Sequence, residues 1–137
     1  MSNERHEIQE KLEKNVKKTL RRLIHEIKED NEVIESINAL LRKGQRIIKR
    51  VLDNTDYQKS LLAQYFTTTN EIKAKEMQLR DLEDALRGGA IFFISAPLFQ
   101  IFLLLLIIAS QIVQIREELK SLRSNVNFLN KALKATI

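Results

Sequence analysis

Few residues in this chain could do chemistry, and their spacing argues against most of it. His6 and His25 are its two histidines, and there is no cysteine. Thiolate nucleophiles, disulfides and Cys-based metal sites are therefore excluded. His25 stands in "RRLIHE", but no carboxylate constellation at ligand or triad spacing accompanies either histidine. The acidic run Glu26 to Glu35, "EIKEDNEVIE", lacks the alternating oxygen ligands of a calcium loop. Gly88-Gly89 is followed by no second glycine cluster and no Lys-Ser/Thr, so it is no phosphate loop. The pair reads instead as a hinge that relieves a helix. The basic stretch Arg42 to Arg50, "RKGQRIIKR", interleaves Leu and Ile at helical spacing with few aromatics. That is a packed helix with a charged outer face rather than a nucleic-acid interface. No enzyme activity, cofactor or metal is expected, and no nucleic-acid partner.

One polar pattern is of a different kind. On a helix, Ala96, Gln100, Gln111, Gln114 and Glu118 fall within about 40° of one line. They lie in or beside a stretch, Gly88 to Ile115, that contains no Asp, Glu, Lys or Arg. Polar residues in such a stretch usually face a bundle interior or water. The spacing thus nominates Gln100, Ile107, Gln111 and Gln114 as lumen-facing positions in a ring of helices. Leu104 and Ile107 interrupt the stripe, so the lumen would be partly apolar.

The element that must carry this pattern is a membrane span. Ala90 to Ala109 reaches about 30 Å as a helix, the thickness of a hydrocarbon core. Fourteen Ile, Leu and Phe residues lie in it, worth on the order of −4 to −8 kcal/mol for insertion. Pro97, in the first third, is expected to kink the helix, with Ser95 satisfying freed backbone groups. The N-terminus "MSNERHEIQEKLEK" has no apolar core of a secretory signal, so the span itself is the insertion signal.

Long helices are expected on both sides, since the chain has three Gly and one Pro in a charged background. After the span, Ile112, Ile115, Leu119, Leu122, Val126, Leu129 and Leu133 alternate by three and four. The same phase runs back through Ile108, Leu105, Ile101 and Leu98. These eleven residues form a coiled-coil seam, and span and tail become one helix. Before the span, Leu61, Tyr65, Thr68, Ile72, Lys75, Leu79, Leu82 and Leu86 keep that spacing. Further upstream, Leu20, Leu23, Ile27, Ile34, Ile37, Leu41, Ile48 and Val51 do so, with Asp30 and Gly44 at core positions. Between those runs, Asp53 and Asn54 end one helix, and Thr55 with Gln58 fits a capping box for the next. A second capping box, Thr68 with Glu71 in "TTTNE", marks another expected break. Folding the hairpin about Asn54 sets residue i opposite about 109 − i, which brings Arg21 and Arg22 beside Arg87 and Gly88.

At the start of the chain Ile8, Leu12, Val16 and Leu20 recur every four residues. Lys14, Lys17, Lys18, Arg21 and Arg22 surround them, the make-up of a helix lying on anionic headgroups. The reading is an all-α chain: a helical hairpin stalk plus one long transmembrane helix continuing into a coiled coil. Its parts are a basic amphipathic and coiled-coil helix over 1–53, a second stalk helix over 55–87, the span over 88–115 and the tail over 116–137. Seams this narrow call for a homo-oligomer, and the stalk offers a face to a protein partner. The expected function is a pore or channel that permeabilises an anionic membrane, as a lysis or host-defence effector. The alternative is a non-conducting scaffold, tether or adaptor. Basic residues stand on both sides of the span, so the positive-inside rule does not choose an orientation. A cytoplasmic N-terminal region with only the short tail translocated is the simpler arrangement for an integral membrane protein.

Overall fold

The computed structural model describes residues 2–51, 54–88 and 97–137, all of them in or beside three helices. These are α1 (Ser2–Ile48), α2 (Asp56–Gly88) and α3 (Leu98–Ala135). The α1–α2 turn forms as the capping signal predicts. The Thr55 N–H donates to Gln58 Oε1 at 3.1 Å, and the Gln58 N–H donates back to Thr55 Oγ1 at 3.2 Å. Asn54 takes the left-handed conformation, φ 51°, which Asn tolerates better than most residues. Asp53 and Gly89 lie outside the described residues.

The hairpin register agrees with the spacing argument. Asn38 Nδ2 donates to Glu76 Oε1 at 2.8 Å, and the Tyr65 hydroxyl donates to the Leu41 carbonyl. At the far end, Arg21 and Arg87 line one cleft with His25, Lys28 and Glu83. Gly44 has a packing reason: a Cβ there would collide with Asn130 Oδ1 and come within 2.7 Å of Tyr65 Cε2. Helix propensity favours almost any other residue, so the close approach is what calls for glycine.

Three expectations need correcting. The break at "TTTNE" does not occur; α2 runs through it. The Thr67 and Thr69 hydroxyls donate to the carbonyls of Ala63 and Tyr65 one turn back, so these threonines sit inside the helix rather than capping one. Pro97 is not inside a continuous helix: its ψ of 139° is extended and α3 starts at the next residue, while the residues before it, Ser95 included, lie outside the described ones. Proline cannot donate the backbone bond an interior position needs.

The third correction concerns the path of the chain. The expected span leads away from the hairpin; instead α3 folds back along it and completes a bundle. Arg116 reaches Asp30 and Asn130 reaches the Leu40 carbonyl, so α3 runs parallel to α1. Gln58 donates to the Thr136 carbonyl and Lys75 pairs with Glu118, so it runs antiparallel to α2. Ile101, Leu105, Ile108, Ile112, Ile115, Leu119, Leu122, Val126, Leu129 and Leu133 are buried, and Leu98 is half-buried. A single chain thus buries this narrow seam without a second copy. Two helices of the same chain are already beside α3, and an apolar stripe is equally satisfied by a neighbour in cis or a copy in trans.

Candidate membrane interface

The apolar half of α3 presents two aliphatic stripes, not one. The seam from Ile101 to Ile115 faces α1 and α2. Opposite it, Phe99, Leu103, Leu106 and Val113 repeat the same four-three spacing, with Ser110 on the same line. All four are exposed, Phe99 at 73% and Leu106 at 65%, and Ile107 beside them is exposed as well. The helix is long and apolar enough to cross a membrane: an 18-residue window has mean hydropathy 2.3. Only 28% of that window is buried, whereas the core helix of a water-soluble protein is mostly covered. A contiguous bare apolar face of this kind marks an interaction surface.

Where the apolar half of α3 ends, a polar layer ties all three helices together. Arg116, the first charge after the apolar stretch, donates from Nε to Asp30 Oδ1 at 2.8 Å and approaches Glu29 at 3.5 Å. Asp30 is fully buried, and its second oxygen has no partner among the described residues. Burial pushes its carboxyl above the ordinary 3.8, outweighing the bond and charge of Arg116, which act downward. Two residues on, Glu118 pairs with Lys75 of α2, and that bond holds the Glu118 carboxyl below its ordinary 4.5. Further along, Asn130 donates to the Leu40 carbonyl at 2.9 Å, while its Oδ1 is buried beside Gly44 without a partner among the described residues.

The residues nominated for a lumen are on the outside of this bundle. Gln100, Ile107, Gln111 and Gln114 are all exposed. Gln111 and Gln114 line a shallow cleft of about 330 Å³ between α3 and α2, with Lys75, Gln78, Asp81 and Glu118. Ala96 lies outside the described residues. The basic residues Lys14, Lys17, Lys18, Arg21 and Arg22 are exposed on α1. Gly88, one of the two proposed hinge residues, is the exposed last residue of α2, and among the described residues nothing lies within 4 Å of where a Cβ would stand. His6 and His25 pair with Glu10 and Glu29 one turn away, both on the surface. Among the described residues no three His, Asp or Glu converge as metal ligands.

Sequence reasoning missed the outer stripe and the polar layer. The stripe's four-three spacing is legible in the sequence but hidden inside a run that is apolar all round. The layer had two signals: an Asp at a seam position, and an Arg as the first charge after the apolar run. No family model matches the chain, and no curated protein and no solved structure is similar to it.

Proposed function

We propose that this bundle is the closed form of a membrane-permeabilising protein whose α3 enters the bilayer after leaving the hairpin. The observation that carries the reading is the apolar half of α3, apolar on opposite faces with only one of them covered. The closed arrangement is itself unfit to span. With α1 and α3 parallel at an offset of about ninety residues, Lys11, Lys14, Lys17, Lys18, Arg21 and Arg22 stand level with the apolar stretch. Taking a Lys or Arg to the bilayer centre costs about 2.5 to 3.5 kcal/mol. Six of them outweigh the on-the-order-of −4 to −8 kcal/mol that the aliphatic residues supply. Insertion therefore requires α3 to part from α1 and α2.

Once parted, the seam from Leu98 to Leu133 is free to pair between copies. Gln100, Ile107, Gln111 and Gln114 then turn toward a common lumen, with the hairpin left on the cytoplasmic side. A second reading, a non-conducting tether or adaptor, is favoured by one observation: the seam is already satisfied within a single chain, so no copies are needed to bury it. Dye release from anionic liposomes, with mass photometry of the reconstituted protein, separates the two. Release from a closed oligomer, altered by Gln100→Leu at unchanged assembly, supports the pore. Intact liposomes, with activity surviving replacement of the span by poly-leucine, support the tether.

A further inference from the structure

The outer stripe of α3 does not stand alone; a row of cations on α1 runs beside it. Glu29, which approaches Arg116 at 3.5 Å, marks the edge of α1 turned toward α3. Counting back along α1, Arg22, Lys18 and Lys11 fall within about 20° of the same helical line. All three are exposed. In the parallel register set by Asp30–Arg116 and Leu40–Asn130, they lie level with the stretch from Phe99 to Val113. On α3, Val113, Leu106 and Phe99 sit about 60° to 100° around the helix from Arg116, on the outer side of the same flank.

We propose that this flank, with Phe99, Leu106 and Val113 beside Lys11, Lys18 and Arg22, is a docking surface for an anionic lipid bilayer. The closed bundle engages it before α3 parts from the hairpin. The proposal deepens the membrane reading above and rests on it. An aliphatic strip edged by cations is complementary to acyl chains beneath negative headgroups. A second copy fits the strip less well. It is about 20 Å long and one helix, about 10 Å, wide, far short of the roughly 800 Å² per partner of a stable dimer. An isologous pair would also double the cations at the same contact.

The test is flotation of the full chain with vesicles of phosphatidylcholine alone or mixed with phosphatidylglycerol, with dye release read from the same vesicles. Wild type should float with the anionic vesicles and bind neutral ones at least tenfold more weakly. The triple variant Lys11→Gln, Lys18→Gln, Arg22→Gln should bind anionic vesicles roughly a hundredfold more weakly, about fivefold per cation removed. Its melting temperature should not move, since among the described residues the one ion pair lost is Arg22–Glu26, long at 3.9 Å and with Arg22 exposed. Leu106→Ser should weaken binding to both vesicle types. Equal binding to neutral and anionic vesicles, or wild-type binding by the triple variant, overturns the proposal. So does a solution dimer that Leu106→Lys dissolves. Anionic binding without dye release upholds the docking surface and removes the pore. Wild-type release by the triple variant removes the docking surface and leaves the pore standing.

Discussion

The polar layer at Asp30 and Arg116 is where the closed bundle is most open to a single substitution. Arg116→Met keeps much of the side-chain volume and removes the one partner that the fully buried Asp30 carboxylate has among the described residues. Breaking a buried ion pair from one side costs about 3 to 5 kcal/mol, because the remaining charge is stranded. Arg116 itself is 32% exposed, so water reaches the site and the lower end, about 3 kcal/mol, is the expected loss. The loss of contact with Glu29 adds little, since that carboxylate is half exposed. The double variant Asp30→Leu, Arg116→Met removes both charges and should recover most of that loss, or exceed wild type. Urea titration followed by far-UV circular dichroism measures all four corners of the cycle. Acid supplies a further check. The Asp30 carboxyl is raised by burial, so the cost of holding it ionised is present at neutral pH and relieved as pH falls through its raised value. Arg116→Met should therefore lose less stability in mild acid than at neutral pH. A loss under about 1 kcal/mol for Arg116→Met, or a double variant costing the sum of the singles, would refute the reasoning. If parting of α3 limits permeabilisation, the single variant should also release dye faster than wild type.

Three other outcomes follow from the packing. Gly44→Ala gains about 1 kcal/mol of helix propensity but crowds Asn130 and Tyr65, both held by hydrogen bonds to α1 carbonyls. With overpacking costing about 1 to 3 kcal/mol, a net fall in the unfolding midpoint is expected. The Lys75–Glu118 pair contributes above the ordinary Glu value of 4.5 and is lost as pH falls through the lowered value in the fold. The gap in melting temperature between wild type and Lys75→Met should accordingly be present at neutral pH and close in acid. Gln58→Ala keeps the backbone donation to Thr55 Oγ1 but removes the side-chain half of the cap, the Thr55 N–H to Gln58 Oε1 bond, and the bond to the Thr136 carbonyl. It should cost about 1 to 2 kcal/mol in the same urea titration.

Much of the local structure was legible in the sequence, because local physics decides it. The Thr55–Gln58 cap, the seams at three-four spacing and the hairpin register each depend on residues close in sequence or on simple counting along two helices. The break expected at "TTTNE" shows the limit. Threonines there satisfy their hydroxyls on carbonyls one turn back, and Thr68 and Ile72 are buried in the bundle, so packing overrides the capping signal. What the sequence determined by itself was an all-helical chain with an apolar stretch long enough to cross a membrane and stripes that must be covered. What covers them was settled only by the tertiary structure. Periodicity tells that a face must leave water, but an aliphatic stripe has no preference between a helix of its own chain and one of another. The return of α3 along the hairpin, fixed by Arg116 on Asp30, Glu118 on Lys75 and Asn130 on the Leu40 carbonyl, gives the seam to α1 and α2. It leaves the opposite stripe bare, since three helices in one bundle can cover only the sides that face one another.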